Sequence, residues 1–468
     1  MALGFRTTLR GTVNLLSCRD PELLKTFCTS GVVRYGKQQC TTLMHNSNKV
    51  TQLVSIRHSA TSALTTCCSK KVGLLTRWGT HLKSSSVLRF GTNSPKPRLN
   101  VSQRHQSGVA AEAQAAGTVI PPHAQKIVGG WLLGCCGMVV GAVVLGGVTR
   151  LTESGLSMTD WHLIKGMKPP STQEEWQAEF NRYKQFPEYK YVHRDITLSE
   201  FKWIWRMEYA HRMWGRTIGL AFLFPAAYFW KKGWLSKGMK PRVLIYGSLL
   251  LFQGLLGWYM VKSGLKEPQP ADMPRVSQYR LAAHLGSAFA LYSLMLWGGM
   301  SQLLQYRPIA SSKYLPLLRK CAHGTMALVF VTALSGAFVA GLDAGLVYNS
   351  FPKMADKWVP DDIMAIEPKY KNVFENPTTV QFDHRILGTT TVTAVAGLWL
   401  LARRVPLPAR ANLAVNCMLA MSAAQITLGI CTLLYFVPTK LAVAHQSGSL
   451  TLLSLALWFA HEIRKVPK

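Results

Sequence analysis

Acidic residues are almost missing from the first hundred positions of this chain. Between Met1 and Arg104 only Asp20 and Glu22 accompany sixteen lysines and arginines, and no apolar run there is long enough to span a bilayer. A basic, hydroxyl-rich, acid-poor N-terminus is typical of a mitochondrial transit peptide. A nucleic-acid-binding arm, the other interpretation, would need an aromatic or folded module beside it. We therefore predict a transit peptide and disordered N-terminus over 1–108, an Ala-rich linker over 109–125, and no nucleic-acid partner.

Cysteine spacings of the zinc-site type are also missing. Five of the ten cysteines lie in the predicted presequence, and the other five lie in or beside apolar segments. Charged residues make up only 16% of the chain, against 48% apolar residues, and the mean hydropathy is positive. For a chain of this length, that balance indicates a membrane protein.

Hydropathy predicts eight apolar segments, each close to the roughly 20 residues that cross a bilayer. They lie near 127–148, 208–230, 243–262, 280–304, 321–342, 382–402, 411–435 and 439–460. Because only helices satisfy their own backbone in lipid, the predicted fold is an all-α integral membrane protein with eight transmembrane helices.

Charge in the connecting segments predicts the orientation. The segments 231–242, 305–320 and 403–410 carry lysines and arginines and no acid. By contrast, 149–207 holds nine basic and eight acidic residues, and 343–383 holds four basic and seven acidic. The positive-inside rule then places both mature termini in the matrix and the two long loops in the intermembrane space, for a multi-pass protein of the mitochondrial inner membrane.

The predicted spans repeat a set of short motifs. Glu153-Ser-Gly155-Leu156 is echoed by Asp343-Ala-Gly345-Leu346, His211-Arg212 by His384-Arg385, Gln253 and Gly257 by Gln425 and Gly429, and Ala283-His284 by Ala444-His445. Four echoes in the same order indicate a duplicated unit. We predict two repeated four-helix bundles, 126–304 and 321–463, joined by a matrix linker at 305–320.

Four histidines share one predicted depth, near the outer ends of even-numbered spans: His211, His284, His384 and His445. Two imidazoles from facing helices can hold an iron porphyrin between them. Copper or zinc would be expected to recruit Cys or carboxylate ligands as well. His323 lies at the inner end without a repeat counterpart, and we interpret it as a hydrogen-bonded core residue.

Haem propionates need cations at the water edge. Arg212 and Arg385 directly follow a histidine at the outer boundary, and Arg216 lies one turn beyond Arg212. We predict propionate contacts for these arginines, with snorkelling to phosphate headgroups left open for Arg216.

The two halves differ at one informative position. Glu208 stands three residues before His211, and Gln381 stands three before His384. A carboxylate can accept and return a proton, whereas an amide cannot. We infer that the first half performs chemistry and the second carries electrons. The alternative is that Glu208 is a helix-start anion favoured by the helix dipole.

These motifs together resemble one known family. The runs "GGVTRLTESGLSM" (145–157), "EYAHRMWGRTIG", "LAAHLGS", "QFDHRILG" and "AVAHQSG" are similar to haem A synthases, the cytochrome c oxidase assembly enzymes of mitochondria and bacteria, over about 126–460. The resemblance implies an oxidoreductase that converts haem O to haem A. Such an enzyme oxidises the C8 methyl group to a formyl group through successive water-derived hydroxylations.

The resemblance also implies residue roles and partners. Haem b would be the cofactor, with His384 and His445 as its axial ligands and Arg385 at its propionates. The implied substrate-haem residues are His211, His284, Arg212, Arg216 and Arg150, with Glu208 as the catalytic carboxylate. Expected partners are haem O, membrane lipid and an electron-transfer protein such as a ferredoxin system. Haem O synthase, oxidase assembly factors and a second copy of the chain are further candidates.

Many bacterial members carry a cysteine pair in the first outer loop, and 149–207 has none. A thiol relay through that loop is therefore excluded. Two other classes of protein stay open at this stage: a b-type membrane cytochrome that passes electrons to quinone, and a non-catalytic haem carrier or assembly factor. Neither class needs a carboxylate at position 208 when the equivalent position of the second half holds Gln381.

Overall fold

The computed structural model describes residues 120–161, 168–267 and 275–465. Within these ranges the chain is helical and forms no strand. The predicted transit peptide and most of the predicted linker lie outside the described residues. Eight helices of 24 to 34 residues dominate the fold: α1 (Pro122–Leu151), α4 (Leu198–Lys231), α5 (Met239–Gly264), α6 (Gln278–Leu303), α7 (Leu315–Gly341), α9 (Pro377–Ala402), α10 (Ala409–Leu434) and α11 (Thr439–Glu462). The shorter elements are α2 (Gln173–Tyr183), α3 (Pro187–Tyr191), α8 (Asn372–Glu375) and three 3₁₀ helices at Ala344–Leu346, Asp361–Met364 and Lys369–Lys371.

Six of the long helices are long and apolar enough to cross a membrane: α1, α5, α6, α7, α9 and α10. Six predicted spans are therefore confirmed as membrane-capable helices. The other two predicted spans, 208–230 and 439–460, lie on α4 and α11, which are more polar. The first carries Glu208 and Arg212, and the second carries His445 and Gln446. Membrane crossing by these two helices stays a prediction.

Helix α4 begins ten residues before the predicted span. A capping box sets this start: the backbone N–H of Glu200 donates to Oγ1 of Thr197 at 3.3 Å, and the backbone N–H of Thr197 donates to Oε2 of Glu200 at 2.9 Å. Glu208 therefore lies about three turns inside the helix. The alternative that Glu208 is an anion of the first turn is wrong.

The two halves of the fold use the same order of helix contacts. In the first half, α1 packs against α4 and α6, and α5 packs against α4 and α6. In the second half, α7 packs against α9 and α11, and α10 packs against α9 and α11. The halves meet through α6 with α7 and through α11 with α1 and α6. Each contact in one half therefore has a counterpart in the other.

The segment before α4 has a small apolar core of its own. Trp176 and Phe180 of α2 pack against Trp205 and Phe201 of α4, with ring centroids 5.0 Å apart in each pair. Met158 joins the same cluster. Burial of these large side chains, each worth a few kcal/mol, fastens the first long loop onto the early turns of α4.

Helix α1 contacts both halves. Its Gly147 lies against the side chain of Gln446 on α11, and Nε2 of Gln446 donates to the carbonyl of Val143 at 3.1 Å. Near the end of α1, Arg150 forms an ion pair of 2.9 Å with Asp343, in the turn after α7. Asp343 has a left-handed backbone with φ of 52°.

Candidate functional site

Each of the four predicted histidines lies against a glycine of the preceding long helix. A Cβ atom added to the glycine would lie close to Cε1 of the histidine in each pair. The distances are 3.0 Å for Gly146 and His211, 3.5 Å for Gly257 and His284, 3.3 Å for Gly336 and His384, and 2.8 Å for Gly429 and His445. Three of these distances are shorter than an ordinary van der Waals contact of at least 3.4 Å. The missing side chain thus lets each imidazole lie directly on a helix backbone.

Three of these four imidazoles have an unpartnered ring nitrogen within the described part of the chain. Nδ1 of His211, His284 and His445 is buried and has no hydrogen-bond partner among the described residues. Nδ1 of His384 pairs with Oγ of Ser335 at 2.7 Å. Because an unpaired buried polar atom is costly, three such atoms at matched positions need an explanation beyond packing.

The rings of His384 and His445 lie close together, with centroids 6.2 Å apart and perpendicular planes at 88°. Two metal–imidazole bonds of about 2 Å each, together with the two ring radii, fill such a separation. A haem iron needs only these two axial nitrogens. Among the described residues, no group of three or more His, Cys, Asp or Glu is placed to hold a metal ion. The residues present therefore fit a haem better than a metal ion held by protein ligands alone.

Matched glutamines fix the helix backbone behind the second histidine of each pair. Nε2 of Gln253 donates to the carbonyl of His284 at 3.2 Å, and Nε2 of Gln425 donates to the carbonyl of His445 at 2.8 Å. Gln253 also donates to Oγ of Ser287 at 2.6 Å. The echo of these two glutamines in the sequence is thus matched by equivalent contacts in the structure.

Glu208 is buried and fully engaged by the first long loop. Its Oε2 accepts from Oγ of Ser157 at 2.8 Å and from the backbone N–H of Met158 at 2.7 Å, and its Oε1 accepts from Nη2 of Arg212. Only 3% of the residue is exposed. Arg212 also donates to the carbonyls of Met158 and Asp160, both at 2.8 Å. The pair Glu208 and Arg212 therefore holds the 157–160 loop.

The second half repeats this arrangement with an amide in place of the carboxylate. Nη2 of Arg385 donates to the carbonyl of Tyr348 at 2.9 Å and to Oε1 of Gln381 at 3.4 Å. Nε2 of Gln381 also donates to the carbonyl of Tyr348, at 3.1 Å. The Nε atoms of Arg212 and Arg385 are both buried without a partner in the described part of the chain. The main chemical difference between these two arrangements is thus the ionisable carboxyl of Glu208.

The remaining predicted arginines lie at the edges of the first half. Arg216 lies one turn beyond Arg212, and its Nη1 atom is 3.6 Å from Sδ of Met213. Arg150 donates to Asp343 at 2.9 Å and to the carbonyl of Gly341 at 3.4 Å. The structure therefore brings Arg212 to Glu208, whereas Arg150 connects the two halves.

A buried polar network lies in the first long loop, and the sequence analysis did not single it out. The hydroxyl of Tyr183 donates to Oε2 of Glu188 at 2.9 Å and lies 2.8 Å from Nδ1 of His193. Nε2 of His193 lies 3.7 Å from Oε2 of Glu153. Burial raises the pKa of Glu188 well above its usual range, although the hydrogen bond from Tyr183 acts in the opposite direction.

The sequence analysis also missed the groups that hold the predicted residues. Ser157 and Met158 bind Glu208, and Ser335 binds His384. Ser157 lies in the motif "ESGLSM", but its partner Glu208 lies 51 positions further along the chain, and no local sequence pattern predicts their hydrogen bond. His323 has Nδ1 at 2.7 Å from the carbonyl of Arg319, which agrees with its interpretation as a hydrogen-bonded residue, although its side chain is exposed rather than in the core.

The fold and the site define a helical membrane protein with two matched histidine pairs, one of them beside a buried carboxylate. The family sequence model described as "Cytochrome oxidase assembly protein" matches residues 129–457. The chain belongs to this family, COX15–CtaA, which confirms the resemblance found in the sequence motifs.

Similar proteins from other organisms support the assignment to this family. The chain is 59% identical over 410 residues to a mouse protein named heme A synthase COX15, covering 86% of this chain and 97% of the relative. It is 63% identical over 355 residues to the human protein of that name, covering 75% and 87%. A bacterial heme A synthase from Nitrosospira multiformis is 47% identical over 344 residues, covering 73% and 94%.

Proposed function

We propose that this chain is a haem A synthase, which oxidises the C8 methyl group of haem O to a formyl group and so supplies haem A for cytochrome c oxidase. Its family membership and the names of its relatives support a role in haem A biosynthesis. The observation that carries the specific chemistry is the carboxyl of Glu208, buried one turn from His211 and replaced by Gln381 in the otherwise matched second half.

The reaction makes proton transfer at the substrate necessary. The first hydroxylation joins a water oxygen to the methyl carbon and releases two protons and two electrons, and the second does the same before water leaves to give the formyl group. A carboxylate beside the reacting edge accepts these protons. In this proposal Glu208 is that base, and Arg212 is a positioning residue that orients the carboxylate through their hydrogen bond.

The four histidines divide between cofactor and substrate. His384 and His445 hold haem b, which supplies reversible one-electron transfer when bound, and Arg385 lies at its propionate side. His211 and His284 hold the substrate haem, whose site includes Arg212, Arg216 and Arg150. Electrons pass from the second half to a protein acceptor, for which a ferredoxin system is the candidate. The 6.2 Å separation of the His384 and His445 rings supports the proposal that these two residues hold haem b.

The same proposal includes the membrane arrangement. All eight long helices cross the mitochondrial inner membrane as two four-helix units, with both mature termini in the matrix and the presequence within 1–108. The equivalent helix contacts of the two halves support the duplication, and the six membrane-capable helices support a multi-pass protein.

The test is the haem that the protein makes. Purified chain is supplied with haem O and an electron acceptor, and the pigments are extracted and identified by mass and by absorption spectrum. We expect haem A from the wild type, and haem O or a hydroxylated intermediate from Glu208→Gln, which copies the second half's own residue. Asp383→Asn is the matched control, because it removes a carboxylate beside a histidine in the other half, and we expect it to retain haem A formation.

Two outcomes would contradict the proposal. Haem A formation by Glu208→Gln at the wild-type rate would remove the catalytic role of Glu208. A wild-type protein that binds haem but yields no formyl haem would instead fit a quinone-reducing b-type cytochrome or a haem carrier.

A further inference from the structure

A cleft opens between the first long loop and the outer part of α5. Its volume is about 280 Å³, and the walls include Trp161 from the loop and Trp258 and Val261 from α5. The side chain of Leu156 lies against Gly264, where an added Cβ would be only 2.8 Å from Cδ2 of Leu156. This close contact seats the loop across the end of α5 and fixes the two walls relative to one another.

The polar groups of the cleft favour an anionic ligand. Lys262, in the last turn of α5, and Lys266, two residues beyond its end, line it, and both are exposed. Oγ1 of Thr159, another lining residue, is buried and has no hydrogen-bond partner in the described part of the chain. A buried hydroxyl normally has a partner, and this one lines a cleft that a ligand atom can enter. Two lysines, one hydroxyl and two tryptophans in one lining suit a flat apolar molecule that carries carboxylates.

The walls of the cleft lie beside residues that neighbour both histidines of the first half. Gly257 of α5 lies against His284, and Val261 follows it by one turn, about 6 Å further along the helix. On the other wall, the guanidinium of Arg212 lies over the ring of Trp161 at 4.5 Å, and Arg212 directly follows His211. A planar molecule held by the two histidines would therefore lie near this cleft.

The arginines expected at the propionates already have other partners. Arg212 donates to Glu208 and to two loop carbonyls, and Arg150 pairs with Asp343. A substrate haem brings two propionate carboxylates to the outer edge, and these need cations. The lysines of the cleft are placed to supply them.

We propose that this cleft binds the propionate edge of the substrate haem, with Lys262, Lys266 and Thr159 as the contacting residues. The inference rests on the proposed function, and it names the subsite that orients the substrate. The C8 methyl group of haem O is carried by the same pyrrole ring as one of the propionates. Anchoring that propionate beside Trp161 therefore brings the methyl group toward Arg212 and its partner Glu208.

The test measures binding rather than turnover. Full chain that retains haem b is placed in phosphatidylcholine nanodiscs and titrated with haem O or with its dimethyl ester, whose propionates carry no charge. The Soret difference spectrum gives both dissociation constants. We expect wild-type protein to bind haem O about tenfold more tightly than the ester, as two solvent-accessible ion pairs would give. Lys262→Gln with Lys266→Gln should lose that preference, and Thr159→Val should lose part of it.

Matched variants separate the subsite from general charge effects. Lys353→Gln with Lys440→Gln removes two exposed lysines from the second half and should keep the full preference for haem O. Lys262→Arg keeps the cation and should also keep the preference. A Lys262→Gln, Lys266→Gln protein with wild-type preference would overturn the inference.

A lipid phosphate is the other source of an anion for this cleft. Nanodiscs that contain phosphatidylglycerol test this alternative. If the double variant differs from wild type only in phosphatidylglycerol binding, the cleft is a lipid site and the inference is wrong. Failure of the proposed function is a different result: wild-type protein would form no haem A, whatever its preference between haem O and the ester. Failure of the inference alone leaves haem A formation intact.

Discussion

The graded contacts between histidines and glycines predict a graded response to alanine. The four substitutions Gly429→Ala, Gly146→Ala, Gly336→Ala and Gly257→Ala add the same methyl group. The distances from that methyl to the nearest imidazole carbon rise in this order, from 2.8 to 3.0, 3.3 and 3.5 Å. We therefore expect the damage to fall in the same order.

The structure gives the size of the largest effect. At Gly429 the ring of His445 has to retreat by about 0.6 Å to restore a contact of 3.4 Å. Metal sites hold their ligand distances within about 0.2 Å, so we expect the displaced His445 to hold a haem poorly. Overpacking of this kind costs about 1–3 kcal/mol. Alanine at a helix position without a steric conflict instead stabilises by roughly 0.5–1 kcal/mol relative to glycine.

The assay is thermal unfolding of all four purified variants, with the low-spin haem b spectrum measured in parallel for Gly429→Ala and Gly336→Ala, which border the proposed haem b ligands. Gly429→Ala should lose most haem b and unfold at a lower temperature, whereas Gly257→Ala should keep the wild-type stability because 3.5 Å is an ordinary contact. Gly397→Ala is the control, since no atom lies within 4 Å of its added Cβ. Equal haem b content in Gly429→Ala and Gly397→Ala would refute the reasoning.

Three further predictions follow from other parts of the structure. His384→Ala and His445→Ala should each abolish the low-spin haem b spectrum, since each removes one axial nitrogen, and a retained spectrum would disprove the ligand assignment. A cysteine placed at Tyr370, which is 73% exposed, should react with an impermeant thiol reagent from the intermembrane side, whereas one placed at Lys237 should not. Burial raises the pKa of Glu188, so between the ordinary carboxyl pKa and this raised pKa the folded protein holds a proton that the unfolded chain has lost. Stability should therefore fall as the pH rises through this range. Glu188→Gln should flatten that fall in a series of thermal unfolding curves, and an unchanged slope would mean that Glu188 titrates normally.

Much of this architecture could be predicted because lipid imposes a simple rule on sequence. Apolar runs of about 20 residues located the eight long helices, and the repeated motifs placed His211 and His384 at equivalent positions. Hydropathy failed at the start of α4, because it detects where a helix becomes apolar and not where it begins. The signal at Thr197 and Glu200 was a local one that a capping-box search would have found.

The contacts of the site were harder to predict because they join distant positions. The sequence placed Glu208 near His211, but it gave no sign that Ser157 and Met158 bind the carboxylate from about fifty positions away. Arg212 stays predicted as a propionate contact, and no local pattern showed that its guanidinium also donates to Glu208 and to the loop. Such partners depend on how the loop packs across the helices, and a single sequence does not encode that packing in any local pattern.

Two neighbouring glycines, Gly146 and Gly147, let helix α1 pack closely against both halves of the fold. Gly146 lies against His211 of one half, and Gly147 lies against Gln446, the residue after His445 of the other. Successive residues point about 100° apart, so one helix borders both sites on different sides. The two halves therefore cannot separate without unpacking the helix that both of them touch.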